Sequence, residues 1–270
     1  MTTSTHREIS TYVEGVGLRG PGFDGWASSR EVLAGKALYQ PQKTTFAVPE
    51  LLPAAERRRS SDITRLSLAT MLEAISAAKL EAASLPSVFT SSGGDGQNCH
   101  AINEMLASED REISPTRFHN SVHNAASGYC SIATGAMAPS SALCAYDGSF
   151  GAGLLEALTQ VAVDNTRCVL VACDTGYPEP LHSVRKIYDA LGIALVLSPE
   201  QGAHSIAKIT VSMTDAEADQ LEDTVLEALR LSIPAARGLP LLHMLALKQP
   251  GKVVLEYLGS TRLAVAIAPC

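Results

Sequence analysis

The stretch SALCAYDGSF, residues 141–150, gathers a thiol, a carboxylate and a hydroxyl in front of an Ala- and Leu-rich segment. Cys144, Asp147 and Ser149 stand where an acyl-transferring enzyme would hold its nucleophile, at a turn leading into a helix. Ser149 is the candidate for a hydrolase, although the Gly-x-Ser-x-Gly register is absent and no clean buried strand precedes Asp147. Nothing cationic adjoins Cys144 in sequence, and its other reading is a small buried hydrophobe. His119 and His123 in FHNSVHN are four residues apart, a spacing that on a helix puts both on one face and could suit a metal. No third ligand is evident nearby, with His100 and Asp95 reachable only through space, so hydrogen-bonding roles are expected for them and no metal. TSSGGDGQ, residues 90–97, lacks the Walker ending and the GxGxxG register, and reads as a turn packing beside a site rather than a phosphate cradle.

These residues need a scaffold, and the hydrophobic pattern supplies one. EISTYVEGVGL, residues 8–18, partly alternates and ends at Gly20-Pro21-Gly22, as a first strand closed by a turn. A short helix is expected from near Asp24, an extended connection over 40–53, and a longer helix within SSDITRLSLATMLEAISAAKL, where Ile63, Leu66, Met71 and Ile75 fall at helical spacing. A strand in PSVFT, a helix in QNCHAINEMLASE and a buried helix in GAGLLEALTQVAV follow. RCVLVAC and ALGIALVLS are apolar runs too short for helices, hence buried strands, and SIAKITVSM alternates as a further strand. A helix from about Asp215 to Leu231, a Pro- and Gly-punctuated segment, and a hairpin around Gly259-Ser260 complete the chain. The order predicts an α/β fold, a mixed sheet with helices on its faces.

At 270 residues, with 46% hydrophobic and 5% aromatic residues, the chain can bury a sizeable aliphatic core as a single domain. A net charge of -7 opposes a nucleic-acid partner, and Arg57-Arg58-Arg59 is the only basic run; its plain reading is a solvated turn or helix entry, its other a contact for an acidic carrier protein. The six cysteines, at 99, 130, 144, 168, 173 and 270, show no zinc-ribbon spacing and are expected to be reduced. No signal-peptide run opens the sequence and no apolar stretch reaches membrane-spanning length, so a cytoplasmic protein with no membrane partner is expected.

From Ile113 onward, ISPTRFHNSVHNAASGYCSIATG, then APSSALCAYDGSFGAGLLEAL, then RCVLVAC, the chain resembles the central segment of β-ketoacyl synthases, the condensing enzymes of the thiolase-like superfamily. The matching residues are Ser114-Pro115, Asn124-Ala125-Ala126-Ser127-Gly128, Ser131-Ile132 and Pro139, and the resemblance spans residues 8–213. It implies a thiolase-like layered α-β-α architecture with the second half, residues 214–270, reduced to a helix and a strand pair. Anchored on Pro139, the family's cysteine column falls on Asp147, and anchored on RCVLVAC it shifts toward Ser149. A carboxylate there would be a poor acceptor for an acyl thioester. Beyond Met213 a single histidine, His243, occurs, where the family's decarboxylation chemistry uses two.

The resemblance therefore implies a catalytically silent subunit, similar to the chain-length-factor partner of aryl polyene ketosynthases, that heterodimerises with a full-length ketosynthase and meets acyl carrier protein through that partner. A homodimer remains open for the isolated chain, and so does an alternative activity as a self-sufficient acyltransferase or thioesterase using Ser149 or Cys144. By analogy the pairing strand is Cys168, Val169, Leu170, Val171, Ala172 and Cys173. The segment projecting into the partner's acyl tunnel is Phe118, His119, Asn120, Ser121, Val122, His123 and Asn124, with Asn120, Ser121 and Val122 limiting product length by volume. No cofactor is implied.

Overall fold

Two apolar runs with no polar face must be covered on both sides, and they form the middle of one sheet. The computed structural model describes residues 8–270. In chain order the elements begin with β1 (Ile9–Gly20), β2 (Phe23–Asp24), α1 (Trp26–Leu33), α2 (Ala54–Arg59), α3 (Asp62–Ala77), β3 (Ser87–Thr90) and α4 (Gly96–Ala107). They continue with α5 (Pro115–His119), α6 (Ala125–Thr134), β4 (Ser140–Leu143), α7 (Ser149–Asp164), β5 (Cys168–Asp174), α8 (Leu181–Val184) and β6 (Leu191–Ser198). The last are β7 (Ala207–Thr214), α9 (Thr224–Ser232), α10 (Leu239–Leu247), β8 (Gly251–Glu256) and β9 (Arg262–Pro269).

The sheet runs β4-β3-β5-β6-β1-β7-β9-β8, with β2 folded back on β1. β3 is parallel to both β4 and β5, and the pairs from β5 to β8 are antiparallel, so the sheet is mixed. Alternation along β5 and β6 sends Val169, Val171, Ala194 and Val196 to the layer formed by α3 and α6. Leu170, Ala172, Ile193 and Leu195 go to the opposite layer, which contains α7 and α10. The result is the expected α-β-α sandwich.

β1 alternates only partly because the register slips between Val13 and Gly15, leaving Glu14 as a bulge. The slip keeps Val13, Val16 and Leu18 together in the α7 and α10 layer. It turns Gly15 and Gly17 toward α3, where a Cβ on either would collide with the carbonyl oxygen of Ala74 or Thr70. Helix α3 thus lies directly on the strand backbone. The bulged Glu14 is 3% exposed and accepts from the Arg167 guanidinium at 2.6 and 3.2 Å, so its buried charge is paired.

The C-terminal region departs from expectation in its helices. The helix expected from Asp215 begins only at Thr224, where the Asp223 side chain caps the amides of Val225 and Leu226 at 2.8 and 3.0 Å. The Pro- and Gly-punctuated segment holds a second helix, α10, entered through Pro240 and buried nearly all round. The expected terminal hairpin is present as β8 and β9, and it joins the main sheet through β7. No helix among the described residues is long and apolar enough to cross a membrane.

Candidate functional site

The chain leaves β4 at Leu143 and enters α7 at Ser149 through a single 3-10 turn, Tyr146–Gly148. Tyr146 takes φ 53, a left-handed backbone that strains any residue with a Cβ. Surrounding contacts hold it there. The Ser149 hydroxyl donates to the Tyr146 carbonyl at 2.7 Å and accepts from the Ala145 amide at 3.0 Å, which closes the turn. The Arg185 guanidinium sits 3.6 Å above the Tyr146 ring centroid and donates from Nη2 to Asp147 Oδ1 at 2.8 Å. From below, Gly148 and Gly151 lie against the carbonyls of Tyr257 and Glu256 at the end of β8, leaving no room for a side chain. The turn is built from three distant parts of the sequence.

This arrangement reassigns the expected nucleophile residues. Ser149 is 1% exposed with its hydroxyl engaged twice, and it braces the turn. The residue in the strained position is Tyr146, one before Asp147, and Asp147 is ion-paired to Arg185. Cys144 is exposed and its thiol donates to the Ser92 carbonyl at 3.2 Å. Tyr146 and Arg185 had no local sequence signal: a tyrosine before an aspartate predicts no positive φ, and Arg185 reaches the turn from a loop 39 positions further along the chain.

The Gly-rich loop beside the turn binds inward. Asp174, at the end of β5 and 2% exposed, accepts on Oδ1 from the Ser91 hydroxyl (3.0 Å), the Ser92 amide (2.7 Å) and the Ser92 hydroxyl (2.8 Å). Its Oδ2 makes no full hydrogen bond among the described residues, and the Ala235 amide, facing the carboxyl, also favours its charged form. Burial pushes its pKa from the ordinary 3.8 up to about 6, against those hydrogen bonds. The Gly94 amide turns back onto the Ser91 hydroxyl at 2.9 Å, so the loop is a packed turn. His123 Nε2 lies 3.1 Å from the Ser91 carbonyl, while His119 meets Tyr129 edge-on at 6.0 Å. His100 pairs with Glu104 at 3.2 Å, and no group of three metal-ligating side chains occurs among the described residues.

Residues 118–124 run from the end of α5 to the start of α6. Phe118 and Val122 are 69% and 53% exposed, with the Ser121 hydroxyl donating to the Phe118 carbonyl at 2.8 Å. Asn120 does not project. Its Nδ2 donates to the Arg59 carbonyl (2.8 Å) and its Oδ1 accepts from the Tyr129 hydroxyl (3.0 Å), so it anchors the segment within this chain.

The expected pairing strand also changes. Residues 168–173 lie in β5, which is hydrogen-bonded to β3 on one side and β6 on the other and has no edge to offer. The edge strand next to the turn is β4. The carbonyls of Pro139 and Leu143 accept from β3, so alternation points the backbone groups of Ser140 and Ala142 outward. Around that edge, Ile132, Met137 and Val163 are 50%, 94% and 75% exposed.

Comparison with solved structures gives similar folds at low identity. The ketosynthase (ApeO) in complex with its chain length factor (ApeC) from Xenorhabdus doucetiae is 21% identical, with a TM-score of 0.72 over 96% of this chain and 99% of that one. The ishigamide ketosynthase/chain length factor is 12% identical, with a TM-score of 0.69 over 97% and 99%. A beta-ketoacyl synthase from Burkholderia phymatum STM815 is 10% identical, with a TM-score of 0.67 over 97% and 100%. No curated protein matches the sequence. The family model described as "Beta-ketoacyl synthase, N-terminal domain" matches residues 26–247, most of the chain. With its mixed sheet between two helical layers and the strained turn at the head of α7, the chain belongs to the beta-ketoacyl synthase family.

Proposed function

We propose that this chain is a non-catalytic, chain-length-factor-like subunit that pairs with an active β-ketoacyl synthase and shapes its acyl tunnel. The observation that carries the reading is the turn before α7: its strained position holds Tyr146, stacked under Arg185, and the neighbouring hydroxyl of Ser149 is locked into the backbone. A tyrosine held there offers no thiolate for an acyl chain. Similarity to ketosynthase and chain-length-factor complexes supports the same reading at the level of fold. Acyl carrier protein meets the complex through the partner.

The interface would form at β4. Its outward backbone groups can extend a partner's sheet, and the exposed Ile132, Met137 and Val163 supply apolar area around that edge. Phe118 and Val122 then project toward the partner. The test is co-expression with a full-length ketosynthase from the same genome, followed by size-exclusion chromatography and intact mass after incubation with an acyl-carrier thioester. A stable heterodimer with no acyl adduct on this chain is expected. An adduct on the isolated chain, or a normal elongation rate by the partner alone, overturns the reading.

Ala142→Pro should abolish the heterodimer while leaving the chain folded, because it removes an outward N–H without touching the bonds to β3. Circular dichroism of the variant separates that result from misfolding. Val122→Trp should preserve the heterodimer and shorten the products, and an unchanged product distribution would remove Val122 from the tunnel.

A further inference from the structure

Among the described residues the sheet ends at β4 on one side and at β8 on the other. At the C-terminal end of β8 the Glu256 carbonyl lies against Gly151, so the head of α7 covers that end. The stretch left over, residues 251–254, is as long as β4 and could pair with another strand just as well. It does not lie open. The Val254 amide donates to Asp219 Oδ2 at 2.7 Å, and the Asp219 amide donates to the Val254 carbonyl at 2.9 Å. Both backbone groups of Val254 are spent on Asp219, so alternation leaves Val253 and Leu255 to bond β9 and turns Lys252 and Val254 away from it. Asp219 thus meets Val254 as a residue of a neighbouring strand would, with a side-chain oxygen in place of a carbonyl.

The loop around Asp219 holds it there and adds charge. Residues 215–223 join β7 to α9. Leu221 is half-buried against the core, its amide donating to Glu227 at 2.9 Å, and Asp223 caps α9. Five of these nine residues are Asp or Glu (Asp215, Glu217, Asp219, Glu222 and Asp223) and none is Lys or Arg. A second copy of the chain presenting the same edge would bring the same charges with it, and like charges across a strand pair oppose pairing. The β4 edge has neither device: Ser140 and Ala142 point their backbone groups outward, and no acidic residue occurs from Ile132 to Tyr146.

We propose that Asp219 closes a second strand-pairing edge, β8, against β8 of another copy of this chain, so that the sheet can be extended only at β4. A sheet open at both ends can grow into an open-ended array, whereas one closed at β8 stops at a pair. That consequence for the pair rests on the β4 interface proposed above; the closure of β8 does not. The test takes the Ala142→Pro chain as its reference, since its β4 edge is blocked, and follows sedimentation velocity over a wide concentration range at high salt, where the other loop charges are screened. Adding Asp219→Ala should make self-association at least about tenfold tighter than in the reference, the scale of one lost hydrogen bond to a charged group. Adding Asp219→Asn, which keeps an oxygen for the Val254 amide, should not. Amide hydrogen exchange reads the contact itself: in dilute solution Val254 should exchange about tenfold faster with Asp219→Ala than in the reference. At high concentration the Lys252 and Val254 amides of that variant should become protected. Circular dichroism checks that each variant is folded. No gain in self-association with Asp219→Ala overturns the proposal, as does an equal gain with Asp219→Asn, or association that leaves Lys252 and Val254 unprotected. A heterodimer that survives Ala142→Pro would instead remove the β4 interface, and a gain with Asp219→Ala over the same reference would still support the closure of β8.

Discussion

Arg230→Met is expected to destabilise the protein by about 3–5 kcal/mol, read as a lower midpoint in urea unfolding, because it leaves two carboxylates beside a buried position without their main counter-charge. Arg230 is 3% exposed. Its Nε and Nη2 donate to both oxygens of Glu227 at 2.8 and 2.6 Å, and its Nη1 donates to both oxygens of Glu256 at 2.8 Å. The Arg230 hydrogen bonds hold the Glu227 carboxyl below its ordinary range, against burial. Arg237 adds a 2.7 Å contact to Glu256, so Glu256 keeps a directly bonded cation in the variant, whereas Glu227 keeps only the Leu221 amide, at 2.9 Å. Neutralising the orphan should recover part of the loss: Arg230→Met/Glu227→Gln is expected to be more stable than Arg230→Met alone. Equal stability of the two variants would show that lost packing, not an unpaired charge, sets the cost. The consequence reaches the strained turn. Glu256 belongs to the end of β8, whose carbonyls at Glu256 and Tyr257 lie against Gly151 and Gly148, so the ion network supports the backbone on which Tyr146 is mounted.

The parts of the molecule legible in sequence are those where one physical requirement dominates. RCVLVAC and ALGIALVLS read as buried strands because both faces must be apolar, and they are β5 and β6. β5 also has both of its edges paired, to β3 and to β6, so it offers no free edge. The strand that does offer an edge, SSAL, is four residues long with two exposed side chains, and it has no period to detect. The helix α10 escaped because PLLHMLAL is apolar nearly all round, which removes the amphipathic signal. At the candidate site, the region was legible and the residue was not. A turn leading into a helix is legible in SALCAYDGSF, but the φ of 53 at Tyr146 goes with tertiary contacts from Arg185, Tyr257 and Glu256. The resemblance implies that Asn120 projects with its segment, whereas its two hydrogen bonds, to residues 61 and 9 positions away, turn it inward.

The contribution of Asp174 to the stability of the wild-type chain should fall as pH rises from about 4 to 7, and Asp174→Asn should remove that contribution. Asp174 is buried, with one carboxyl oxygen bonded to Ser91 and Ser92 and the Ala235 amide also facing the carboxyl. Its pKa in the folded chain is raised from 3.8 to about 6, so the folded state holds the proton more tightly than the unfolded state does. The associated stability is fully present below the unfolded value and is lost as pH passes through the folded one. Above it the folded chain buries a carboxylate that the unfolded chain would expose to water. That gap in pKa corresponds to about 3 kcal/mol. Asparagine keeps an oxygen for the Ser91 and Ser92 donors and carries no charge at any pH, so the difference between variant and wild type should shift in the variant's favour by up to about 3 kcal/mol between pH 4 and pH 7.5. Urea unfolding of both proteins at intervals between those limits gives the difference directly. A difference that stays constant across the range would show that Asp174 keeps the same proton affinity folded and unfolded. A difference that grows with pH would mean that the loop beside the strained turn is held by a carboxylate retained at a cost in stability.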